Sequence, residues 1–204
     1  MFKKVVLVMM CWIALGARAQ PILLVYGDSL SAGYGLPQGK GWVNLLADRL
    51  QAEKFDYRVV NASVSGETTL GGANRMVTVL DQHQPAVVII ELGGNDGLRG
   101  LSLAASRQNL ENMVRTVRKA GAQPLLIGMQ LPPNYGTAYT EKFQSLFEGI
   151  AREQKIPLVP FMLKGFGEKR EYFQLDGIHP TVEAQPLILE NIWPVLRPLL
   201  RQSR

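Results

Sequence analysis

The chain has 204 residues, 47% hydrophobic and 19% charged. That balance excludes a disordered or low-complexity chain and suits one compact domain with a sizeable core. Its formal net charge of +5 raises the question of a nucleic-acid partner, but three of those positive charges, Lys3, Lys4 and Arg18, lie in the first nineteen residues.

That first stretch, residues 1–19, has a basic start, an apolar run over 5–15 and the small-x-small pattern Ala17-Arg18-Ala19. This is the layout of a secretory signal peptide. The run is short of the ~20 residues a spanning helix needs, so no stable membrane anchor is expected. Cleavage near Ala19 would place the remaining domain, 20–204, in the periplasm or outside the cell. It would also remove Cys11, the one cysteine, and most of the basic character, which argues against nucleic acid.

The remaining chain alternates short apolar runs with amphipathic stretches. Strands are expected over 21–26, 57–63, 86–92, 124–130 and 157–161. Helices are expected over 42–53, 70–83, 102–121, 139–154 and 181–200, with Pro186 and Pro194 bending or breaking the last. Such alternation, with strands apolar on both faces, implies a three-layer α/β/α fold around a five-stranded parallel sheet. In these folds the ligand site lies beyond the carboxyl ends of the strands.

Four segments just past expected strands carry candidate chemistry. The first is "GDSLS", with Ser29 as nucleophile or as an ordinary turn residue. The second is "NASVSGETT", around Gly66. The third is "GGND", where Asn95 could donate its amide to an oxyanion or could sit with Asp96 in a left-handed turn. The fourth is "DGIHP". Here Asp176 and His179 stand three apart in a glycine-containing turn, able to pair a carboxylate with one imidazole nitrogen and leave the other free. The same turn could instead be a surface loop with a capping aspartate. His83, the other histidine, sits near a helix end with no motif around it.

Taken together, "GDSLS", Gly66 in "NASVSGETT", "GGND" and "DGIHP" resemble the conserved blocks of the SGNH (GDSL) hydrolases. "ELGGNDGLRG" and "LPPNYG" are similar to the bacterial periplasmic branch that includes thioesterases, lysophospholipases and arylesterases. The resemblance spans nearly all of the chain beyond residue 19. It implies a flavodoxin-like sheet, Ser29 as nucleophile, His179 as general base and Asp176 as its orienting carboxylate. It further implies an oxyanion hole from the Ser29 and Gly66 amides and the Asn95 side chain. Gly97, Leu98, Leu131, Pro132 and Tyr135 would line the acyl site, in loops that include the mobile segment 97–102. No G-x-S-x-G elbow is present, against an α/β-hydrolase.

The expected activity is hydrolysis of acyl esters and thioesters, with lysophospholipid among the candidate substrates, by a monomer with no metal and no cofactor. Three rival readings are a carbohydrate acetylesterase of the same fold, a non-catalytic periplasmic lipid-binding protein and a metal phosphoesterase. The last is disfavoured by the scarcity of ligating side chains.

Overall fold

Five short strands make one sheet, paired throughout in parallel. They are β1 (Ile22–Gly27), β2 (Arg58–Asn61), β3 (Val87–Glu91), β4 (Gln123–Ile127) and β5 (Leu158–Val159). The computed structural model describes residues 20–201. The expected signal peptide, residues 1–19, lies outside the described residues.

The strand order is β2-β1-β3-β4-β5, the flavodoxin-like order. The helices are α1 (Ser29–Ala32), α2 (Trp42–Ala52), α3 (Thr69–His83), α4 (Gly94–Leu98), α5 (Leu103–Lys119), α6 (Thr137–Gln154) and α7 (Gln185–Leu196). Helices α3, α5 and α6 pack in series on one face, and α2 packs with α7 on the other. The central strands are fully buried, from Leu23 to Tyr26 in β1 and from Val87 to Ile90 in β3. A strand covered on both faces needs no polar side, hence the unbroken apolar runs in the sequence.

Several elements depart from the sequence reading, and β2 and β4, expected over 57–63 and 124–130, end at Asn61 and Ile127. The fifth strand, expected over 157–161, forms ladder pairs only at Leu158–Val159. Pro157 and Pro160 flank it and have no N–H to give a ladder. The last helix begins at Gln185 rather than 181. Pro186 lies in its first turn, where a missing N–H is harmless, and Pro194 is carried inside without ending it. The chain then tightens into a 3₁₀ turn at Arg197–Leu199. Finally, "GGNDG" is not an open turn but the helix α4. Neither Asn95 nor Asp96 has a positive φ; the left-handed residue is Gly93, at φ 115°.

The sheet order sets the site. From β1 the chain crosses to β2 on one side, while β3 lies on the other side of β1. The crevice between β1 and β3 is therefore the topological switch point. Gly27, the last residue of β1, pairs with Glu91, the last residue of β3. Ser29 and Asn95 follow directly on these two neighbouring ends.

Candidate active site

The chain turns sharply after β1. A Cβ at Gly27 would stand 2.5 Å from Oε2 of Glu91 and 2.9 Å from Oγ of Ser31, so only glycine fits. Asp28 then caps the one-turn helix α1, accepting from the Leu30 N–H at 3.0 Å. Gly33, at φ 76°, closes that turn by donating to the Ser29 carbonyl.

His179 arrives from the long connection after β5. That loop is braced by backbone pairing of Phe173 with Pro180 and by Arg170, which donates to the carbonyls of Phe173 and Leu175. Gln174 reaches across to the Tyr34 carbonyl at 2.8 Å and ties this loop to the chain beyond α1. The Tyr34 ring lies 4.4 Å, centroid to centroid, from the imidazole.

Within this frame, His179 Nε2 is 2.9 Å from Ser29 Oγ and His179 Nδ1 is 2.7 Å from Asp176 Oδ2. Asp176 Oδ1 accepts from the N–H groups of Ile178 and His179 at 2.9 and 3.0 Å. Partial desolvation pushes the Asp176 carboxyl up, but these two backbone donors and the imidazole outweigh it and hold it at about 2. A carboxylate acceptor places the imidazole proton on Nδ1, which leaves Nε2 to accept from the serine hydroxyl. Such a chain can move a proton off Ser29 as its oxygen attacks.

Residues 25–186 match the GDSL-like Lipase/Acylhydrolase family. The chain belongs to this family. It is 53% identical over 182 residues to "Esterase TesA" of Pseudomonas aeruginosa, covering 89% of this chain and 90% of that protein. It is 43% identical over 187 residues to "Thioesterase 1/protease 1/lysophospholipase L1" of Escherichia coli, covering 92% and 88%. A crystal structure of TesA, also 53% identical, superposes with a TM-score of 0.86 over 88% of this chain and 99% of that one.

In this GDSL-family chain the three expected oxyanion donors come from the segments after β1, β2 and β3. The backbone N–H groups of Ser29 and Gly66 have no acceptor among the described residues, and Gly66 holds φ 79°. Asn95 Nδ2 donates to Asp28 Oδ2 at 3.1 Å and to the Glu67 carbonyl at 3.0 Å. Both amide protons of Asn95 are therefore already donated within the fold.

Gly97 and Leu98, expected on a loop over 97–102, instead end helix α4, and tyrosines join them to the segment after β4 that holds Leu131, Pro132 and Tyr135. Tyr135 donates to the Leu98 carbonyl at 3.2 Å and Tyr139 to the Gly97 carbonyl at 3.1 Å. Leu131 and Gly97 are buried, whereas Leu98 is half-buried and Pro132 and Tyr135 are exposed. His83 ends α3, apart from the site.

Several residues around the site escaped the sequence reading. Glu91, fully buried at the end of β3, accepts from Ser31 Oγ at 2.6 Å and from the Asp28 N–H at 3.3 Å through the same oxygen. A carboxylate ending an otherwise apolar strand was its available signal. The Ser31 hydroxyl is itself buried. Burial pushes the Glu91 carboxyl well up, and the neighbouring Asp28 adds to the effect. Burial likewise raises Asp28 to about 6, against the pull of the Leu30 N–H, His179 and Asn95. Arg99 donates to the Gly66 carbonyl at 3.2 Å and to Asn95 Oδ1 at 3.3 Å, bridging two of the expected oxyanion segments. Asp96 accepts from Thr69 and Ser106 and so fastens α4 to α3 and α5.

Proposed function

We propose that the chain hydrolyses acyl esters and thioesters in two steps through an acyl-Ser29 intermediate. The observation that carries this reading is the unbroken relay from Ser29 Oγ to His179 Nε2, 2.9 Å, and from Nδ1 to Asp176, 2.7 Å. Ser29 Oγ attacks the acyl carbon and its proton passes to His179 Nε2. The Asp176 carboxylate stabilises the imidazolium and stays ionised. The amides of Ser29 and Gly66 and the Asn95 side chain receive the oxyanion. His179 returns the proton to the departing alcohol or thiol. Water then repeats the sequence on the acyl-serine, with His179 again taking the proton.

The names of the relatives, esterase and thioesterase 1/protease 1/lysophospholipase L1, favour an acyl group on an oxygen or sulfur leaving group, lysophospholipid included. The side chains of Leu98, Leu131, Pro132 and Tyr135 offer that group an apolar lining. They give little to hydrogen-bond a sugar, which disfavours the carbohydrate acetylesterase. One chain supplies the entire relay, so a monomer suffices. The signal-like sequence of residues 1–19 supports export to the periplasm or beyond; N-terminal sequencing of the protein recovered from that compartment tests it.

The activity is tested by assaying the protein and its Ser29→Ala variant on p-nitrophenyl esters and acyl thioesters of graded chain length. The wild type should turn over both classes, and the variant should lose on the order of 10⁶ in kcat. Comparable turnover by both proteins contradicts the reading.

A further inference from the structure

Among the described residues, eight large apolar side chains stand exposed. Seven of them follow the carboxyl ends of the strands, on the edge that holds Ser29. Tyr34 comes after β1, Val64 and Leu70 after β2, and Leu101 after β3. Tyr135 comes after β4, and Leu175 and Ile178 after β5. Only Val77, in the middle of α3, lies elsewhere. Scattered exposed leucines need no explanation, but every strand of the sheet delivers at least one to the same edge.

Leu175 is 99% exposed although its loop is braced, with its own carbonyl held by Arg170 and the Gln174 amide fixed on Tyr34. It protrudes because the fold holds it out. The charges on this edge are sorted as well. In the loops after β1 to β4, Asp28 and Asp96 are buried and Glu67 is paired to Arg75. The exposed charges there are the cations Lys40 and Arg99. After β5, exposed Lys164, Lys169 and Arg170 are offset by exposed Glu168, Glu171, Asp176 and Glu183, so the cationic part of this edge is the side after β1 and β3.

We infer that this edge docks on a phospholipid surface, with Leu175 and Leu70 entering the headgroup–acyl boundary and the Ser29–His179 pair facing the lipid. Apolar tips flanked by cations and by tyrosines are the chemistry that holds a protein at such an interface. A rigid protein partner seated on the same ring would seal the mouth of the site. A fluid lipid layer can cover it and still deliver an acyl chain to Ser29. The inference draws on the proposed esterase activity only for that delivery; the docking itself needs no turnover.

Flotation with vesicles of equimolar phosphatidylcholine and phosphatidylglycerol tests it, using Ser29→Ala protein so that the lipid is not consumed. Leu175→Ser and Leu70→Ser are read singly and together, and Val77→Ser serves as the off-face control. All carry the same N-terminus, so any pull from residues 1–19 is common to them. The parent should float with the vesicles, and the paired substitution should lower its partition coefficient by about tenfold or more, as loss of buried leucine surface requires. Val77→Ser should float like the parent. In chains that keep Ser29, the same substitutions should leave turnover of a short, monomeric ester unchanged, which reports intact folding; where one fails this check, the other is read alone. Vesicle binding that is absent, or equal in parent and variants, overturns the inference. So does a lipid-free dimer that Leu175→Ser dissociates.

Discussion

The Ser31 hydroxyl donates a 2.6 Å hydrogen bond to Oε2 of Glu91, a carboxyl with no exposure to solvent. The same oxygen takes the Asp28 N–H. The turn that presents Ser29 thus rests on a buried acid at the end of the neighbouring strand. Glu91→Ala should leave two buried donors unmet beside a cavity and lower stability by about 3 kcal/mol in urea denaturation. Glu91→Gln keeps an amide oxygen for both donors and should lose much less. Equal losses would remove Glu91 from this role.

Asp28 and Glu91 also set a pH dependence. The Asp28 carboxyl is raised from 3.8 to about 6 by burial, so the folded state holds its proton more tightly than the unfolded chain. Stability from this group is full below about 3.8 and declines as pH rises to about 6. Glu91, raised well above 4.5, acts in the same sense. Wild-type stability relative to Asp28→Asn should therefore fall between those pH values. Denaturation curves at a series of pH values check this, and a rise across the same window contradicts it.

Asn95 and Arg99 should separate in kinetics. Asn95→Ala removes a proposed oxyanion donor and should lower kcat by about 10²–10³ with KM little changed. Arg99 acts through Asn95, holding its amide oxygen so that the nitrogen faces Asp28 and Glu67. Arg99→Ala should cost about tenfold in kcat, the worth of one positioning hydrogen bond. Added guanidinium should restore part of the loss. A KM effect alone would make Arg99 a substrate contact instead.

Gly97 has no room for a side chain, since a Cβ there would lie 2.7 Å from Phe143 and 2.9 Å from Leu131. Gly97→Ala should lower stability by about 1–3 kcal/mol through overpacking. It should also reduce kcat/KM for long acyl esters more than for acetyl esters, because Leu131 and the neighbouring Leu98 loop shift. Unchanged melting and unchanged chain-length profile would contradict this packing.

The central strands were legible because burial on both faces writes an unbroken apolar run, as in "AVVII" over 86–90. The meeting of Ser29 with His179, 150 apart in sequence, was legible through the order of motifs at strand ends and the family resemblance those motifs carry. The helix at Gly94–Leu98 was hidden because its glycines and asparagine favour turns, while the bonds that hold it come from distant Thr69 and Ser106. Arg99 was hidden for a similar reason: a lone arginine on a loop shows nothing of the carbonyl and amide it bridges. The fifth strand stops at Val159 because Pro160 has no N–H for the ladder, so a strand reaching 161 was too long.

The central claim is that Ser29 carries the acyl group. Mass spectrometry of the protein after reaction with a p-nitrophenyl alkylphosphonate tests it most directly. One phosphonyl group should appear on Ser29, with none on Ser31, and Ser29→Ala should remain unlabelled. Labelling of another residue, or equal labelling of Ser29→Ala, would contradict it.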